Sequence, residues 1–150
     1  MKHSDALKLE AAIDGHIGQI VTAAEHAVSE VVTRARAAGK QQDIRRAQFR
    51  NVLAVASTAP HPAVITSFIR YQMGRKDTQR VWKDTGLGAK VIGLIDKELA
   101  EAAASAVKTA GAGDPIDVQV RMARLLLGFA DRRFVYESPD SDDESEGRQK

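Results

Sequence analysis

No cysteine occurs among the 150 residues. Disulfides and thiolate metal sites are thereby excluded, and the chain suits a reducing, cytoplasmic setting. No apolar run approaches about 18 residues, so no membrane span is expected. The opening "MKHSDALKLE" lacks the continuous apolar stretch of a signal peptide. The marks of an enzyme are missing as well. Of His3, His16, His26 and His61, no two lie four apart on one helix, and there is no HExxH pattern for zinc. "GAGDP" is not followed by the Gly-Lys-Ser/Thr of a phosphate-binding loop, and no glycine-flanked serine suggests a nucleophile elbow. "TGLGAK" places two glycines and a lysine before a helix, which reads either as an anion site or, more simply, as a helix-start turn. No acid–base or nucleophile set assembles. The expectation is a non-catalytic protein with no metal and no cofactor.

Runs of alternating β-branched residues are absent too, and what remains is helical throughout. Ser4 can cap a first helix reaching about Arg36, with Leu7, Ile13, Ile17, Ile20, Ala24, Val28 and Val31 recurring every three or four residues. Gly39 is its stop. A second helix spans about Asp43 to Ser57, with Phe49, Val52, Leu53 and Ala56 on one side. "TAPHP" breaks the chain. Pro62 fits the first position of a third helix running to about Trp82. After "DTGLG", Thr85 or the glycines start a fourth helix through Val107. Asp114 as N-cap and Pro115 open a fifth, to about Val135. Long helices with short breaks predict an all-α, single-domain bundle of about five antiparallel helices over residues 1–136. Residues 137–150 form an acidic tail whose composition predicts disorder.

The formal charge of +2 conceals an asymmetry. The tail holds six acids and two bases, leaving the body at a net +6. Within residues 40–90, ten bases face only Asp43, Asp77 and Asp84, a net +7. Such an excess is either a solvated face or an attractor for a polyanion.

Helical spacing sorts these cations. Arg46 and Arg50 lie four apart, about 6 Å along the axis, on the side away from Phe49 and Leu53. That separation is close to the spacing of phosphates along a strand, and the guanidinium fork suits phosphate oxygens. An ordinary exposed arginine pair is the alternative. In the fifth helix Arg121, Arg124 and Arg132 share a narrow stripe with Gly128 between them, in an otherwise apolar helix. Gly128 leaves room for an approach to the backbone, at a cost of about 1 kcal/mol against alanine. Pairing with Asp117, four residues before Arg121, is the competing reading there. In the third helix Val64, Phe68, Tyr71, Arg75 and Trp82 fall on one side, where Arg75 can stack on an aromatic ring. Lys76 and Arg80 edge the apolar side formed by Ile65, Ile69 and Met73 and can reach solvent. Gly74 offers close helix packing.

Three segments together resemble a known family. "QFRNVLAVA" (48–56), "FIRYQMGR" (68–75) and "RMARLLLGFADRRFVYES" (121–138) are similar, in this order, to the small subunit of type III CRISPR effector complexes, with "YQMGR" the most specific element. "TGLGAKVIGLI" resembles the small subunit of the sister branch, which leaves the subtype open. The resemblance covers about residues 43–138. It implies a non-catalytic helical bundle that stacks in several copies with other effector subunits and lines a groove for guide and target RNA. It nominates Arg46, Arg50, Asn51 and Arg75 for strand or neighbour contact. With the cations placed by helical spacing, the candidate RNA-contacting set is Arg46, Arg50, Asn51, Arg75, Lys76, Arg80, Arg121, Arg124 and Arg132. A helical adaptor whose basic middle binds an acidic protein is the other reading.

Overall fold

The computed structural model describes residues 1–40 and 46–137; the expected acidic tail lies outside these, apart from Glu137. Among the described residues there are seven α-helices and two wide, π-helical segments, and no strand. They are α1 (His3–Asp14), α2 (Ile17–Ala37), α3 (Arg46–Thr58), α4 (Pro62–Gly74), π1 (Arg80–Asp84), α5 (Leu87–Gly93), π2 (Leu94–Glu98), α6 (Leu99–Ala110) and α7 (Pro115–Glu137). The all-α class and single body stand, and five helices was an undercount.

The differences have local causes. The expected first helix is interrupted at Gly15 and His16, where the amides of Gly15 and His16 turn back onto Ala11 and Ile13. Ser4 does not cap it: Lys2 holds that position with no side-chain bond, and Leu7 stands 57% exposed. The stop at Gly39 is as expected. Gly39 takes a left-handed φ of +70°, its amide bonds Arg36, and the Lys40 amide bonds Ala35 at 2.7 Å, which closes the helix end in a Schellman arrangement. Pro62 opens α4 with the His61 Nδ1 accepting from the Ala63 amide, and Asp114 accepts from the Ile116 amide at 2.9 Å to open α7. The beginning of the second helix near Asp43 falls outside the described residues.

The third helix is where expectation and structure part most. α4 ends at Gly74, because Arg75 is extended (φ −80°, ψ 138°). Thr78 Oγ1 then donates to the Gln72 carbonyl at 2.6 Å, inside the protein, and holds the chain in its turn. The reversal carries Trp82 off the α4 surface and into the core, fully buried. There it meets Phe49, ring centroids 5.8 Å apart, and Phe49 in turn meets Phe134 at 5.0 Å. α5 begins after Gly86 (φ +82°), and Gly88 is seated so closely on π1 that an added Cβ would lie 2.6 Å from the Trp82 carbonyl oxygen. A Cβ at Gly74 would meet nothing within 4 Å, so that glycine mediates no close packing.

α7 is the central element, packed on α2, α3 and α6. It buries Val118, Met122, Leu126, Leu127 and Phe134 in one continuous core. Gln119 fastens it to π2 by donating to the buried Ile95 carbonyl at 2.8 Å. α3 runs antiparallel to it, since Arg46 meets Asp131 while the α3 C-terminus meets Arg124.

Candidate nucleic-acid interface

The tertiary contacts gather several helix ends at one pole of the bundle. Phe49, near the start of α3, contacts Trp82 of π1 and Phe134 in the last turns of α7. Arg36 bonds Glu137, joining the ends of α2 and α7. A cavity of about 460 Å³, lined by Val31, Arg34, Ala35, Ala38, Lys40, Arg80, Asp84 and Thr85, joins the end of α2 to π1. The end of α4, continuous with π1 through a short turn, lies here too.

The cations of these helix ends therefore come together. α2 brings Arg34, Arg36 and Lys40; α3 brings Arg46 and Arg50; the end of α4 brings Arg75 and Lys76; π1 brings Arg80 and Lys83; α7 brings Arg132 and Arg133. Cations near the ends of α2 and α7 complement the helix dipole, so their presence alone is ordinary. Arg46 and Arg50 are different, because α3 as described, Arg46–Thr58, contains no acid to offset them. From residue 44 to residue 76 the sequence contains no Asp or Glu at all, so every anion near α3 and α4 is supplied by another segment.

Those anions divide the expected RNA-contacting residues. Arg46 is half-buried and pairs with Asp131 through two bonds, Nε and Nη2 each at 3.3 Å. Arg75 pairs with Asp77 at 3.6 Å and places its guanidinium 5.5 Å from the Tyr71 ring centroid. Arg132 is exposed and lies over Phe129 at 5.3 Å. Arg50, Asn51 and Lys76 are exposed, and among the described residues neither Arg50 nor Lys76 has an ion pair or hydrogen bond. Arg80 is exposed at the cavity rim.

Two expected members lie elsewhere. Arg124 turns toward the C-terminus of α3, donating from Nε to the Ala56 carbonyl at 2.7 Å and from Nη2 to the Ala59 carbonyl at 3.4 Å. It closes the negative end of α3, a use of arginine that charge and dipole both favour. Arg121 bonds Glu10 of α1 at 2.6 Å rather than Asp117. The stripe is thus split, Arg121 turning to α1 and Arg124 to α3 while Arg132 lies over Phe129 of α7 itself, although a Cβ at Gly128 would meet nothing within 4 Å.

Sequence reasoning missed Arg34, Arg36, Lys83 and Arg133 as members of the pole. Their signal was weak, since Arg34, Arg36 and Lys83 each fall in a final helical turn where basic residues are common, and Arg133 lies outside the stripe of Arg121, Arg124 and Arg132. Among the described residues no group of three His, Asp or Glu side chains is placed to hold a metal, and no helix is long and apolar enough to cross a membrane. No protein-family model, curated protein or solved structure matches the chain.

Proposed function

We propose that this protein is a non-catalytic, RNA-binding structural subunit, of the kind that serves as small subunit in type III CRISPR effector complexes. Its basic pole holds the phosphates of guide or target RNA. The observation that carries the reading is the gathering of basic residues at that pole, among them Arg50 of α3 and Lys76 just beyond the end of α4, whose side chains have no ion pair or hydrogen bond among the described residues. Such charges act on the phosphate backbone and carry no sequence information. The resemblance of "QFRNVLAVA", "FIRYQMGR" and "RMARLLLGFADRRFVYES", in that order, supports this class of complex. In it the chain works beside further copies of itself and other effector subunits.

The test is a salt titration of RNA binding. Arg50→Ala and Lys76→Ala together should weaken binding equally for unrelated single-stranded sequences and lower the slope of log affinity against log salt by about 0.7 per lost contact. Unchanged affinity and slope in a folded double variant refute the assignment. No RNA binding at low salt, by the protein alone or within an assembled effector complex, favours an adaptor that binds an acidic protein.

A further inference from the structure

The chain has only two tyrosines, Tyr71 and Tyr136. Tyrosine is intermediate in its usual burial, and these stand 57% and 74% exposed. Both lie on helices whose ends build the basic pole, Tyr71 in the last turn of α4 and Tyr136 in the last turn of α7. Each is also held in the same way. The Arg75 guanidinium lies 5.5 Å from the Tyr71 centroid and that of Arg133 5.0 Å from the Tyr136 centroid. Arg75 is steadied by Asp77, and Arg133 by Glu25 at 2.6 Å and by Glu137. Phe68, half-buried against the core, meets the Tyr71 ring at 6.1 Å. A guanidinium lies over each ring, and more than half of each tyrosine remains open to solvent.

We infer that Tyr71 and Tyr136 are stacking posts for the bases of single-stranded RNA whose phosphates the pole holds. The inference rests on the RNA-binding reading above and adds to it a second kind of contact, with bases rather than phosphates. Base–aromatic stacking tolerates any sequence because every base has a π-face, and single-stranded RNA is where bases are free to splay onto aromatic and guanidinium planes. Charge favours this occupant over an apolar peptide. Arg75 lies over the Tyr71 ring and Arg133 over the Tyr136 ring, while the acids beside them, Asp77, Glu25 and Glu137, are already paired with those arginines. From Tyr71 the line continues along α4 to Phe68 and to Val64, which is also exposed. That gives a surface long enough for more than one base.

The experiment compares a short single-stranded oligoribonucleotide with an abasic oligomer of equal length and charge, using the full chain at low salt. The wild type should prefer the base-bearing strand. Tyr71→Ala should reduce that preference roughly tenfold, Tyr71→Ala with Tyr136→Ala should abolish it, and Tyr71→Phe should retain it. The salt slope should stay unchanged in all three, in contrast to Arg50→Ala. Equal binding of both strands by the wild type, or a preference that survives the double tyrosine variant, overturns the stacking role and leaves the phosphate-binding pole intact. Binding of neither strand overturns both readings. A double tyrosine variant that binds RNA normally but no longer associates with another protein subunit assigns the rings to a protein contact instead.

Discussion

Replacing Arg46 by alanine separates a structural arginine from an RNA-contacting one. Its fork meets Asp131 with two parallel bonds of 3.3 Å. The side chains are 28% and 11% exposed, so the pair is more than half withdrawn from water on the arginine side and almost wholly on the aspartate side. The gross Coulomb attraction at this distance is about 5 kcal/mol at an effective dielectric near 20. Desolvation of both ions offsets most of it. Breaking a fully buried pair costs about 3–5 kcal/mol, whereas an exposed pair is worth about 0–1 kcal/mol. Intermediate burial places Arg46→Ala at about 2 kcal/mol, chiefly because Asp131 remains charged and shielded from water. In a chain of this size, that corresponds to a fall in melting temperature of about 4–8 °C. The loss should be asymmetric. Asp131→Ala leaves an arginine that can turn toward solvent and should cost less, and the double variant should recover part of what Arg46→Ala loses. Thermal melts followed by circular dichroism, arranged as a double-mutant cycle, give the coupling directly. The reasoning is refuted if Arg46→Ala melts within about 1 °C of the wild type, or if the cycle gives no coupling.

Two further stability predictions follow from packing. Arg124→Ala leaves the buried Ala56 and Ala59 at the end of α3 with carbonyls that have lost a charged donor; the expected cost is about 2 kcal/mol with RNA binding by the folded protein unaltered, and Arg124→Lys should recover only part of it, as read by urea denaturation. Gly88→Ala forces a methyl group to within 2.6 Å of the Trp82 carbonyl oxygen and 2.7 Å of the Met73 sulfur, which should cost about 1–3 kcal/mol in overpacking; shortening Met73 as well should relieve the sulfur contact and not the carbonyl one, leaving a residual deficit in the same melts.

How far the sequence was legible depends on whether a feature is local. The break before Pro62, the Asp114 cap and the Gly39 stop are all set by residues within a few positions of one another, and each stands where the sequence places it. The apolar side of Phe49, Val52 and Ala56 is likewise a matter of helical spacing and is buried as expected. The π segments were not legible, because nothing in "RVWKD" or "LIDKE" distinguishes a wide turn from an α one. Neither was the fate of Trp82. On a helical wheel it continues the line of Phe68 and Tyr71, but the extended backbone at Arg75 ends the wheel seven residues before it.

The arginines show the same division more sharply. Arg46 and Arg50 are equivalent by spacing, and a wheel gives no reason to treat them differently. What separates them is Asp131, 85 positions away in the sequence, which takes one and leaves the other. Arg124 is separated from Arg132 in the same way, by carbonyls at the end of α3. Periodicity therefore locates cations on helix faces, and only the tertiary placement of anions and carbonyls decides which of them keep their charge available. Arg46 and Arg124 are taken up by the fold, while the side chains of Arg50 and Lys76 are not, and Tyr71 and Tyr136 stand exposed on α4 and α7. Exposed charge alone is ordinary, but two exposed tyrosines each under an arginine at a basic pole contribute little to the core. That surplus is the reason for directing the binding experiments at Arg50, Lys76, Tyr71 and Tyr136, and the stability experiments at Arg46 and Arg124.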